Sequence, residues 1–325
     1  MLTRLAGYDK IASMSFKVVF MGSPEFALPT LRELAADYRV VGVVTQPDRP
    51  AGRGRKLISP PVKALAQSLG IETIQPQRLR APEAQAKLLE WKPDLIVVAA
   101  YGQILRQNVL DLPAYGCINV HASLLPRWRG AAPIQAAILH GDAVTGITIM
   151  KMDAGIDTGP ILAQRVEPIG AQDTAASLSD RLAETGATLL LETLPGYLHG
   201  ALESQAQPEE GATYAGMLQK QDGQLDFQQA ARDLERRVRA FNPWPGTFFW
   251  SPAGLLIVRR THTAGDERLQ PGQLGVIDRL PAVATVQGWL VLDEVQPAGK
   301  KALPGAVFLH GLRQWQGNVH WQVEG

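Results

Sequence analysis

Four short apolar runs punctuate the chain up to Val120: KVVFM at Lys17–Met21, VVGVVT at Val40–Thr45, DLIVVAA at Asp94–Ala100 and CINV at Cys117–Val120. Each is strand-length and has no polar face, the pattern of a strand covered on both sides. Between them, Glu25–Tyr38 carries Phe26, Leu28, Leu31 and Leu34 at helical spacing, and 62–69 and 82–91 also read as helices. Strand, crossover helix and strand in repetition dictate a mostly parallel sheet with helices on both faces. Further on, 132–140 reads as a helix, 146–152 as a strand that 161–166 can pair with, and 174–198 as a helix. The expected fold is a Rossmann-like α/β domain over 16–200, in which ligands bind beyond the carboxyl ends of the strands.

At 325 residues the chain has room for a second domain. Residues 201–219 are polar and weakly periodic, and read as a linker. In 220–325 a cationic helix over 228–241 precedes five short runs, Phe248–Trp250, Leu255–Thr261, Gln273–Ile277, Ala282–Val286 and Trp289–Val295. Turn residues separate those runs, the spacing of a small, OB-like β-barrel. Residues 1–15 precede the first strand and are set aside as an N-terminal extension.

Composition narrows the setting. A net charge of +1 gives no global attraction to nucleic acid, so any basic site is local. The single cysteine, Cys117, cannot form an intramolecular disulfide, which fits a reducing compartment. With no apolar run of membrane-spanning length and no secretory signal, the expected location is cytoplasmic, with no membrane contact. The six histidines are dispersed, so no metal is expected.

Chemistry-bearing residues gather at one place. Asn119 and His121 stand two apart on the fourth apolar run and so share a face. Polar groups on an apolar strand need partners or a task. SLLP follows at Ser123–Pro126, and Asp157 lies in a glycine-flanked loop, Gly155–Gly159. An amide donor, an imidazole and a carboxylate form a set suited to acyl transfer: oxyanion donor, proton shuttle, and a group that sets the shuttle's state. Taken singly, each residue equally suits a turn or a satisfied core position. A second feature is Gln46–Lys63, eighteen residues with Arg49, Arg53, Arg55, Lys56 and Lys63 against Asp48. Its prolines and glycines keep it out of helix and strand. It reads either as a solvated loop or as an arm that docks on phosphates.

Asn-x-His, SLLP and the later Asp resemble the 10-formyltetrahydrofolate-dependent formyltransferase superfamily. GSPEFA (Gly22–Ala27), TQPDRPAGRGRK (Thr45–Lys56), INVHASLLPRWRGAAPIQ (Ile118–Gln135), MDAGIDTG (Met152–Gly159), RAFNPWPG (Arg239–Gly246) and QPAGKKA (Gln296–Ala302) extend the likeness to the family that formylates methionyl-tRNA. The resemblance implies formyl transfer from 10-formyltetrahydrofolate to the amino group of initiator methionyl-tRNA, for translation initiation. It implies catalytic roles for Asn119, His121 and Asp157. Folate contacts fall on Ser123, Leu124, Leu125 and Pro126, with the Tyr101-Gly102 turn and Asp153 beside them. The tRNA contacts expected are Arg49, Arg53, Arg55 and Lys56 on the loop, with Arg236, Arg237, Lys300 and Lys301 on the second domain. No protein partner is implied. Rival readings are a formyltransferase for glycinamide ribonucleotide, one for an amino-sugar nucleotide, and a non-enzymatic RNA-binding module. GSPEFA is not a phosphate loop, the basic 45–56 segment disfavours the sugar nucleotide, and the intact trio disfavours a binding module.

Overall fold

A computed structural model describes residues 14–51, 56–312 and 314–319. By its contacts the chain divides into two compact units. Unit 1 takes residues up to 133, then 144–168 and 179–215; unit 2 takes 134–143, 169–178 and 216 onward.

The apolar runs form the strands their pattern demands. In chain order unit 1 begins with β1 (Lys17–Gly22), α1 (Leu28–Asp37), β2 (Arg39–Val44), β3 (Arg49–Ala51), β4 (Lys56–Ile58), α2 (Pro61–Ser68) and β5 (Thr73–Ile74). It continues with α3 (Pro82–Trp91), β6 (Leu95–Ala99), α4 (Gln107–Leu110), β7 (Cys117–His121) and β8 (Arg129–Gly130). Next in the chain come α5 (Pro133–His140), which from residue 134 belongs to unit 2, β9 (Val144–Lys151), β10 (Ile161–Pro168), α6 (Ala175–Leu198), which belongs to unit 2 up to residue 178, and β11 (Tyr214–Ala215). Seven strands make one sheet in the order β10-β9-β7-β6-β1-β2-β5. β7, β6, β1, β2 and β5 run parallel, whereas at one side β9 is antiparallel to β7 and β10 antiparallel to β9. Alternate residues Val19, Met21, Ile96, Val98 and Cys117 bury one face of the sheet with Leu88 and Trp91 of α3. Period-two patterning therefore sends Asn119 and His121 to the same side as Cys117.

Two expectations are corrected. The basic segment is not wholly irregular: β3 and β4 pair antiparallel, Arg49 opposite Ile58 and Ala51 opposite Lys56. Pro50 is tolerated because both strands of a two-stranded ribbon are edges, and Pro61 starts α2 as a first-turn proline. Residues 201–219, expected to link domains, are largely held against unit 1. Gln205 pairs with Ile161, and β11 pairs with β8. Polar composition signalled a linker there, but the polar side chains are used as hydrogen-bond partners of neighbouring loops.

Unit 2 centres on α7 (Ala231–Ala240) and a six-stranded antiparallel sheet. The strands are β12 (Thr247–Ser251), β13 (Gly254–Ala264), β14 (Leu274–Ile277), β15 (Leu280–Ala284), β16 (Trp289–Pro297) and β17 (Leu303–Pro304), followed by α8 (Gly305–His310). They run in the order β12-β13-β16-β15-β14, with β17 on β16. Leu234 and Val238, four apart on α7, enter a core with Phe227, Phe249, Leu256, Leu290 and Phe308. Among the described residues no helix is long and apolar enough to cross a membrane.

Cys117 carries a testable consequence. It is buried, and burial pushes its thiol up to about 12, with Asp111 adding to the rise and Lys151 opposing it. The thiol is thus neutral when folded at pH 8, and native protein is expected to resist iodoacetamide over hours while unfolded protein reacts at its one thiol. Because the folded value is the raised one, the stability this neutral thiol contributes is complete below the thiol's unfolded value and is lost as pH rises toward about 12. Stoichiometric labelling of the native protein, followed by mass spectrometry, would refute the burial argument.

Candidate active site

β7 lies between β6 and β9, so its last residues are enclosed on both sides and open only toward the carboxyl edge of the parallel strands. There the structure brings together the three residues expected to act. Asn119 Nδ2 donates to Asp157 Oδ1 at 3.3 Å, and His121 Nδ1 lies 3.6 Å from Asp157 Oδ2. The backbone N–H of Gly130 donates to the same Oδ2 at 2.8 Å. Asn119 and His121 are buried, which strengthens each of these interactions relative to water.

Histidine orientation follows from its second contact. His121 Nε2 sits 2.9 Å from the Trp128 carbonyl oxygen, which can only accept. Nε2 therefore carries the proton, and in the neutral ring Nδ1 is the basic nitrogen. A proton taken at Nδ1 forms an imidazolium directly beside the Asp157 carboxylate.

The loops that deliver these groups use unusual backbone. Trp128 has φ +62° and Asp157 φ +53°, both in the left-handed region. Gly130, at φ +112°, lets the chain pass close to β11: a Cβ there would meet Ala215 O at 2.5 Å. That close approach is what lets the Gly130 N–H reach Asp157.

The other expected site residues take varied positions. Ser123 is fully buried and its Oγ donates to Arg127 O at 2.6 Å, while Thr148 Oγ1 receives Leu125 N and donates to Ser123 O. SLLP is thus a hydrogen-bonded buttress on β9. Leu125 is buried as well, and Leu124 and Pro126 are partly exposed. The Tyr101 ring is in the apolar core and its carbonyl accepts from Gln46, leaving exposed Gly102 as the accessible part of that turn. Asp153 caps its own loop, accepting from Gly155 N and Thr158 Oγ1.

The cations expected at tRNA belong to both units. Arg49 is exposed and donates to Gln46. Arg53 and Arg55 lie outside the described residues, as does the side chain of Lys56. Within unit 2, Arg236 lines a cleft of about 460 Å³ with Arg232 and Arg239, and faces Asp233 at 3.6 Å. Arg237 donates to Asp222 O and lies over the Phe241 ring. Lys300 and Lys301 are exposed between β16 and β17.

Sequence reasoning missed Trp128, Arg129, Gln207 and Thr213. Arg129 is only 1% exposed and points its guanidinium at Gln207, Glu209 and Tyr214. Arg-Trp-Arg-Gly after SLLP was visible as a loop, but nothing in it said which arginine would be buried. Gln207 stood in a segment whose composition signalled only a linker.

A doubly wound sheet with an Asn–His–Asp cluster at its carboxyl edge defines an enzyme of acyl-group transfer. The chain belongs to the formyl transferase family: the formyl transferase model matches residues 16–194, and the model of the formyl transferase C-terminal domain matches 217–313. It is 49% identical over 305 residues to a methionyl-tRNA formyltransferase of Halorhodospira halophila, spanning 92% of this chain and 97% of that protein. A methionyl-tRNA formyltransferase of Myxococcus xanthus is 47% identical over 300 residues, spanning 91% of this chain and 95% of the relative. Among solved structures, an N-formyltransferase from Helicobacter canadensis in complex with folinic acid and dTDP-3-aminofucose superposes with a TM-score of 0.63. That match, at 17% identity, covers 85% of this chain and 98% of the other.

Proposed function

We propose that the chain transfers the formyl group of 10-formyltetrahydrofolate to the amino group of methionine esterified to initiator tRNA, preparing it for translation initiation. The observation that carries this reading is the Asn119, His121 and Asp157 cluster at the carboxyl edge of a sheet whose relatives nearly half identical to it bear the name methionyl-tRNA formyltransferase.

The residues fit a carbonyl-bearing donor. The bound folate supplies the formyl group, and the methionyl amine attacks its carbon. Asn119 Nδ2 has two hydrogens and directs one to Asp157, so the second can stabilise the oxyanion that develops on the formyl oxygen. His121 takes the proton of the attacking amine at Nδ1, and the Asp157 carboxylate stabilises the imidazolium. Returning that proton to N10 of the folate as the old C–N bond breaks leaves the formyl amide on methionine and the site in its starting state. Folate is held along Leu124, Pro126 and the Gly102 turn, with the backbone of SLLP and the Asp153 loop closing the edge.

Formation of formylmethionyl-tRNA from charged initiator tRNA and 10-formyltetrahydrofolate, followed by acid-gel separation, tests the assignment. Transfer to an amino-sugar nucleotide at equal or higher kcat/KM would overturn it. The tRNA is held by local clusters, since from Lys220 onward 12 Lys+Arg stand against 10 Asp+Glu, a net of +2. Arg49, Arg53, Arg55 and Lys56 form one contact; Arg236, Arg237, Lys300 and Lys301 supply the other. Arg53→Ala is expected to lower kcat/KM on tRNA and to flatten its salt dependence by about one phosphate contact, with folate binding unchanged. An unaltered salt slope for both Arg53→Ala and Arg55→Ala would remove the loop from the tRNA interface.

A further inference from the structure

Asp157 is gripped twice. Its carboxylate receives Asn119 and Gly130, and its backbone is held independently by Gln207. Gln207 Nε2 donates to the carbonyl oxygens of Asp157 at 2.8 Å and Gly159 at 2.7 Å. The amide orientation is settled by Arg129, whose Nε lies 3.1 Å from Gln207 Oε1. A guanidinium only donates, so the oxygen faces Arg129 and both amide hydrogens face the Asp157 loop.

Arg129 belongs to the loop that also carries Trp128, the acceptor of His121 Nε2. The strap from Gln205 to Ala215 secures that loop too: Trp128 N donates to Thr213 Oγ1 at 2.9 Å, and β11 pairs with β8. Arg129 and Gln207 thus tie the two loops that fix His121 and Asp157. Asp157, at φ +53°, lies in the left-handed region, which is uncommon for residues with a side chain though aspartate is among those that tolerate it, and the Gln207 hydrogen bonds add to what keeps it there.

We infer that Gln207 is a positioning residue for formyl transfer: its two donated hydrogen bonds hold the Asp157 backbone in the left-handed turn and so set the distance from the carboxylate to His121 Nδ1. This rests on the proposed roles of Asp157 and His121. The proposal gives Gln207 no part in the chemistry itself: it acts through the Asp157 turn.

Gln207→Glu tests it. The variant keeps the side chain's length and its acceptance from Arg129, and removes both hydrogens from the loop. Expected are a kcat roughly tenfold lower or more, KM for tRNA and folate within about twofold of wild type, and displaced limbs in the pH–rate profile. The melting temperature is expected to fall as well, because the carbonyls of Asp157 and Gly159 lose their donor and meet a carboxylate, so activity is read per folded molecule below the transition. Unchanged kcat with an unchanged profile overturns the inference; so does a lower melting temperature with full activity per folded molecule, which makes Gln207 a structural strap only. Should Gln207→Glu fail to fold, Gln207→Ala is read by the same measurements. Asp157→Asn separates the two levels of argument. If Asp157→Asn alone is fully active, the reading of Asp157 fails and the inference with it. If Asp157→Asn is impaired while Gln207→Glu is normal, only the positioning role fails. In the double variant, activity equal to that of Asp157→Asn alone is expected, whereas multiplied losses would show Gln207 acting elsewhere.

Discussion

Asn119→Ala is expected to lower kcat for formyl transfer by roughly 10²–10³-fold, the cost of removing one preorganised oxyanion donor from a water-poor site. The protein should fold normally, because the amide makes one long hydrogen bond, 3.3 Å to Asp157, and loses little packing when truncated. KM for both substrates should change little, since the interaction strengthens only as charge develops on the formyl oxygen. Asn119→Asp is a sharper probe. It replaces the donor with an acceptor and sets a second carboxylate beside Asp157, so its loss should equal or exceed that of alanine. Single-turnover rates with charged initiator tRNA measure both. Turnover within threefold of wild type for the alanine variant would reduce Asn119 to a satisfied core residue.

His121→Ala should lower kcat by at least about 10²-fold, the usual scale for a lost proton shuttle. Its contacts also predict how two replacements differ. Glutamine places an amide near Nε2 and can still donate to Trp128 O, but it has no base where Nδ1 faces Asp157. If Nδ1 is the working nitrogen, His121→Gln should be as inactive as alanine while recovering much of any lost thermal stability. Activity in the glutamine variant near that of wild type would show that His121 serves only as a prop for the Trp128 loop.

Much of this arrangement was legible in the residue pattern because it rests on local rules. Apolar runs of strand length with helices between them specify a parallel sheet, and residue alternation places Cys117, Asn119 and His121 on one face wherever β7 sits. The pairing of Asn119 and His121 with an Asp in a glycine-flanked loop was legible as chemistry for the same reason: residue type and spacing are visible without a fold.

Other features were not visible, because they depend on which loops meet. The Tyr101 ring turned into the core, since a buried position at the end of β6 had to be filled, and Gly102 is left as the exposed part of that turn. The serine of SLLP became a turn anchor because Arg127 O lay within its reach. Pro50 and Gly52 in the basic segment suggested irregular chain, yet a hairpin of edge strands tolerates proline and formed.

The sequence by itself determined the apolar strands of the main sheet, the faces they bury, and the shared face of Asn119 and His121 on β7. It did so because periodicity and residue type act over a few residues. Only the tertiary structure decided that residues 205–215 return to unit 1 and that a buried Arg129 orients the Gln207 amide. It also decided that this amide holds Asp157 in a left-handed turn, and that a carbonyl at Trp128 leaves Nδ1 as the basic nitrogen of His121. Those contacts join residues separated by up to 85 positions, and no local preference specifies them: they exist because burying polar atoms is costly unless each finds a partner.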